Sequence, residues 1–153
     1  MDIFEVRSQK KQYLPLLLLA DEQESMIDRY LDRGTMFVLA EGQAIAVCVV
    51  IDEGEGVLEL KNIAVAPGCQ RMGYGRALVD FLVTRYAGSF QTLRVGTGDS
   101  PLTIPFYESC GFRRAYVVKN FFLDHYDHPI WECGRRLRDM VYLERPFVLE
   151  VSP

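Results

Sequence analysis

The residues whose types and spacing carry chemistry are Gln70, Arg71, Met72, Gly73, Tyr74, Gly75 and Arg76. They lie between an apolar run ending at Val65 and an amphipathic run opening at Tyr74. Two glycines let a backbone come close to a ligand, and the first free N–H groups of a following helix present the positive end of its dipole. Arg71 and Arg76 add full charges at the same place. The stretch therefore reads as an anion cradle, and a polyphosphate suits it. Upstream, Glu59 sits inside the apolar run, where a carboxylate is either a solvated edge residue or a base that accepts a proton.

Elements must hold these groups in place. Val57 to Val65 reads as a strand, and strict alternation puts Val57, Glu59, Lys61, Ile63 and Val65 on one face unless a bulge resets it. Before it, Thr35 to Ala40 and Ala44 to Ile51 read as a hairpin turned at Glu41-Gly42-Gln43, and Asp52 to Gly56 forms a second turn. Three strands in sequence make an antiparallel meander. After the cradle, Ala77, Leu78, Phe81, Leu82 and Tyr86 mark one buried face of a helix over Tyr74 to Ala87. A strand over Gln91 to Val95 follows, expected to run parallel to the Val57 to Val65 strand because a whole helix intervenes. Gly96 to Pro101 reads as a loop and Pro105 to Ser109 as a short helix stopped by Gly111. At the N-terminus, Asp2 to Arg7 suits a strand, and Tyr13 to Ala20 and Ser25 to Leu31 suit two short helices.

Two of these stretches resemble signatures of one family. Gln70-x-x-Gly73-x-Gly75 after a strand resembles the pyrophosphate loop of the GNAT superfamily of acyl-CoA-dependent N-acyltransferases. Phe106-Tyr107-Glu108-x-x-Gly111-Phe112 resembles that family's second signature, and it follows in the expected order. The resemblance implies one α/β domain over residues 1–153. Its central sheet would be mixed and mostly antiparallel, with a parallel, splayed central strand pair, flanking helices and a C-terminal hairpin. It implies transfer of an acetyl group from acetyl-CoA, a co-substrate, to a primary amine of a small molecule or peptide. The alternative is a non-catalytic acyl-CoA sensor or regulatory protein.

Site roles follow from the same resemblance. Gln70 to Arg76 would hold the pyrophosphate, and the main chain at Ile63, Ala64 and Val65 would pair with pantetheine like an added strand. Phe106 and Ser100 would join the cofactor site, Ser100 standing where the family commonly has asparagine. Tyr107 would be the general acid that serves the departing thiolate. Glu59, directly or through water, would take the amine proton, with Lys61 paired to it. Met26, Tyr30 and the acidic segment Asp21 to Glu24 would contribute one side of the acceptor pocket.

Composition narrows the remaining classes. At 153 residues, 49% hydrophobic and 25% charged, the chain is of ordinary globular make-up, and its net charge of −4 gives no reason to expect nucleic-acid binding. Leu14 to Ala20 is too short to span a bilayer, and no basic segment and cleavage site frame it as a signal peptide. Cys48, Cys69, Cys110 and Cys133 have no metal or disulfide spacing, so a soluble, cytoplasmic protein with reduced thiols is expected. Pro129 argues for a turn around His125 and His128, so no metal is expected there. Arg135, Arg136, Arg138 and Arg145 read as a solvated face. Glu22, Glu24 and Asp28 favour a cationic acceptor, among polyamines, amino acids, aminoglycosides and protein amines. A homodimer through the C-terminal strands is the remaining expectation.

Overall fold

The structure, a computed structural model, describes residues 1–148. In chain order it runs β1 (Asp2–Val6), α1 (Leu14–Ala20), α2 (Glu24–Ile27), β2 (Thr35–Glu41), β3 (Gln43–Gly54) and β4 (Val57–Val65). Then come α3 (Tyr74–Arg85), β5 (Thr92–Gly98), α4 (Ile104–Ser109), β6 (Arg113–Val118) and α5 (Phe121–His125). The two-residue strands β7 (Trp131–Glu132) and β8 (Arg135–Arg136) precede β9 (Met140–Pro146).

Seven strands form one sheet in the order β1-β2-β3-β4-β5-β9-β6. Every pairing is antiparallel except β4 with β5. The apolar strands of the meander are buried on both faces, which is why Ala46 to Val50 read as an unbroken hydrophobic run. One core cluster lies under α3 and α4, where Leu78, Val79 and Leu82 meet Leu58, Leu60 and Leu93. The other lies under α1 and α2, where Leu17, Ile27 and Leu31 meet Val47, Val49 and Ile51.

The second helix is short: after Ile27 the chain continues as turns up to β2, with Lys10 Nζ donating to the carbonyls of Leu31 (2.8 Å) and Gly34 (2.7 Å). The expected loop at Gly96 is strand, because β5 pairs with β9 as far as Gly98 opposite Met140. Those glycines signal close approach. A Cβ at Gly96 would lie 2.8 Å from Tyr142 Cε1, and one at Gly98 would lie 2.6 Å from Leu137 Cδ1. Arg145 is buried, not solvated, and its guanidinium donates to the Cys110 carbonyl at 2.9 Å. The C-terminal pair of strands is β6 with β9, and residues 119–139 between them form a strap of α5 and the β7–β8 hairpin.

Candidate active site

The parallel pair β4–β5 is short. It runs from Val57 opposite Thr92 only to Leu60 opposite Val95, although β4 continues to Val65 and β5 to Gly98. Past that point the strands part. On the other side of β4, Val49 pairs with Asn62 and Val50 with Leu60, so Lys61 is the extra residue of a bulge.

That bulge changes which side chains share a face. Leu58 and Leu60 point into the same core cluster as Ile63 and Val65, whereas Ala64 packs in the opposite cluster. The simple alternation is therefore wrong beyond Leu60, and Glu59 does not share a face with Ile63 and Val65.

Between the parted strands lies a cavity of about 360 Å3. Its walls include Ile63, Ala64 and Val65 from β4, Gly96, Thr97 and Gly98 from β5, and Gln70. Tyr107 reaches it from α4. The tyrosine is buried, and burial first, then neighbouring Cys110 and Glu132, push the pKa of its phenol up. It therefore stays protonated at neutral pH, as a proton donor must. Thr97 and Thr103, which sequence reasoning missed, hydrogen-bond each other at 2.7 Å in the same wall.

The cradle stands beside this cavity. Gln70 lines it and donates to the Val65 carbonyl at 3.2 Å, tying the loop to the end of β4. Arg71 and Gly73 both have left-handed backbone, with φ of 63° and 89°, and α3 starts immediately afterwards. A Cβ on Gly73 would meet no protein atom within 4 Å, so the space over the loop is open. Beneath it, a Cβ on Gly75 would lie 3.1 Å from Phe106 Cζ, and Phe106 packs edge-on against Tyr107. The residues present fit a diphosphate: open space, free N–H groups at the start of a twelve-residue helix, and Arg71 beside them.

Other predicted residues are placed differently. The Arg76 guanidinium donates to the Ser109 carbonyl at 2.7 Å, which draws it toward α4. The Tyr74 hydroxyl donates to Glu41 at 3.0 Å, and Met72 is exposed. Ser100 is buried, and its hydroxyl accepts from the Leu102 N–H at 3.1 Å, capping the turn before α4. It does not line the cavity. Glu59 is buried between two cations, with Lys61 Nζ at 2.8 Å and Arg94 Nε at 3.3 Å. It faces a neighbouring cavity of about 220 Å3 that adjoins the first along Asp21, Lys61 and Tyr126.

A polar cluster at that junction was only partly legible. Asp21, where α1 ends, accepts a hydrogen bond from the Tyr126 hydroxyl at 2.8 Å and another from the Tyr30 hydroxyl at 3.1 Å. Asn62 Nδ2 donates to Tyr30 Oη at 3.1 Å and to the Leu17 carbonyl at 3.0 Å. Burial raises the Asp21 pKa, and the two phenol donors oppose the rise. Tyr126 comes from the strap, over a hundred positions from Asp21, so no local signal could have paired them. The strap is held to the same linker again at Gln23, which accepts from the Asp127 N–H at 3.0 Å, and at Glu22, 3.0 Å from His128 Nε2. Among the described residues no group of histidine, cysteine and carboxylates is placed to hold a metal ion. No helix of the described residues is long and apolar enough to cross a membrane.

A parted parallel strand pair, an open glycine loop at a helix start and a buried tyrosine suit an acyl-CoA acetyltransferase, and similarity to known proteins agrees. The family model described as acetyltransferase (GNAT) domain matches residues 32–114. An uncharacterized N-acetyltransferase of Bacillus subtilis, YvbK, is 38% identical over 131 residues, 84% of each chain. A GNAT family acetyltransferase from Elizabethkingia anophelis, solved with acetyl-CoA bound, superposes with a TM-score of 0.89 at 32% identity, covering 95% of this chain and 97% of that one. A Bacillus subtilis acetyltransferase solved with CoA gives 0.85 at 34% identity, covering 94% and 97%. The chain belongs to the GNAT acetyltransferase family.

Proposed function

We propose that the protein transfers the acetyl group of acetyl-CoA directly to a primary amine of a small molecule or peptide. The observation that carries this reading is the cavity where β4 and β5 part, with the Gly73 loop at one end and the Tyr107 phenol in its wall. The relatives solved with acetyl-CoA or CoA support the choice of donor.

In this reading the main-chain N–H groups from Met72 to Arg76, with Arg71, hold the diphosphate. The free edge of β4 at Ile63, Ala64 and Val65 pairs with pantetheine, and an N–H near Val65 polarises the thioester carbonyl. The amine nitrogen attacks the carbonyl carbon, the carbon–sulfur bond breaks, and the sulfur takes the Tyr107 proton. Glu59, or a water that it orders, accepts the proton released by the nitrogen.

The test is thiol release from acetyl-CoA over a panel of amines. Release that depends on an amine and gives its N-acetyl product supports the proposal. Tight acetyl-CoA binding with no release across the panel would instead indicate a sensor that binds without turning over.

A further inference from the structure

The second cavity differs in charge between its two sides. On the wall shared with the first cavity stands Asp21, with both carboxylate oxygens accepting phenol hydrogen bonds. On the unshared side stand Arg29 and Arg33, together with Glu59, whose charge Lys61 and Arg94 already balance. Arg29 reaches only Met26 Sδ at 3.5 Å, and Arg33 donates to the Arg29 carbonyl at 3.2 Å. Neither forms an ion pair among the described residues, whereas Arg94 and Arg85 do.

Two more observations bear on the polar groups beside the shared wall. Asn62 is buried in the wall of the larger cavity, and its carboxamide oxygen has no hydrogen-bond partner. The acidic groups expected to draw a cation are engaged elsewhere: Glu24 and Asp28 both hold Lys11, at 2.8 and 2.7 Å, and Glu22 holds His128. Around the second cavity Glu59 is already held by Lys61 and Arg94, which leaves the half-buried Asp21 on the shared wall, the guanidiniums of Arg29 and Arg33 with no ion pair among the described residues, and aromatic walls from Tyr30, Phe121 and Tyr142.

Resting on the acetyl-transfer reading, we infer that the acceptor is a small amine that also carries an anionic group. Its nitrogen is received by Asp21, next to the cavity that Tyr107 lines, and its anion is held by Arg29 and Arg33. A guanidinium fork suits a carboxylate or a phosphate equally. The acidic linker thus selects for an amine with a negative tail rather than for a polycation.

Calorimetric titration of the CoA-saturated protein tests this without requiring turnover. The probes are matched pairs: L-phenylalanine and phenethylamine, para-aminomethylbenzoate and benzylamine, O-phosphoethanolamine and ethanolamine. In at least one pair the anionic member binds about ten-fold or more tightly than its partner. The Arg29→Ala/Arg33→Ala double variant, at exposed positions, removes that preference while CoA binding persists, and Asp21→Asn weakens both members. The inference is overturned if the plain amine binds as tightly in every pair, if no probe binds, or if the double variant keeps the preference. Thiol release with the plain amines is read separately, so acetyl transfer can stand while this assignment falls.

Discussion

Tyr107 is the side chain proposed to serve the departing thiolate. Its phenol reaches the cavity from a buried position and holds its proton more firmly than an ordinary tyrosine. A Tyr107→Phe protein keeps the ring, with its edge contacts to Phe106 and Phe112, and loses only the donor. Its turnover is expected to drop on the order of 10²-fold with unchanged acetyl-CoA affinity, as steady-state kinetics beside calorimetry would show. Glu59 carries a structural load as well as its proposed role. With Gln there, Lys61 and Arg94 lose a buried partner, and urea unfolding should report a loss of about 1–3 kcal/mol. If Glu59 also takes the proton, the variant turns over slowly and recovers as pH rises and the free amine deprotonates unaided; normal turnover at neutral pH would leave it a purely structural residue. The motif residues were legible because the loop and helix signatures are local. Asp21 was named with the acidic linker, but its link to Asn62 and Tyr126 was not legible, since what joins them is a bulge at Lys61 and a strap that returns from far along the chain.

At the scale of elements, the loop between β4 and α3 depends on Gly73, whose left-handed backbone and open Cβ direction coincide. Gly73→Glu puts a strained residue and a negative charge where the diphosphate is expected. Acetyl-CoA affinity should fall at least about ten-fold by calorimetry, and an undiminished value would contradict the cradle. The strap gives a pH dependence. Hydrogen bonds to Asp127 and Glu22 raise the His128 pKa above its ordinary 6.5. The folded state therefore binds the proton more tightly than the unfolded state does. The stabilisation is full below the ordinary histidine range and is lost as pH rises through the raised value. Amide protection factors in residues 121–132, with the intrinsic pH dependence of exchange divided out, should fall across that window in the native protein and not in His128→Gln. Most strands could be read from alternation and turns. The end of β5 could not, because Gly96 and Gly98 look like loop residues until Tyr142 and Leu137 are seen to fill the space beside them.

For the whole molecule, the decisive feature is a sheet that is continuous on its meander side and, among the described residues, opens where its one parallel pair parts. Composition could not reveal that opening, because it arises from where pairing stops. The order of strand, glycine loop, helix and strand did predict the parallel pair itself. The two cavities then follow from the way α1 and the strap close over the gap. A crystal structure of the protein with CoA tests this arrangement most directly. The diphosphate is expected on the main-chain N–H groups between Met72 and Arg76, and the pantetheine sulfur between Val65 and the Tyr107 hydroxyl. A diphosphate bound away from that loop, with the gap between β4 and β5 empty, would contradict it.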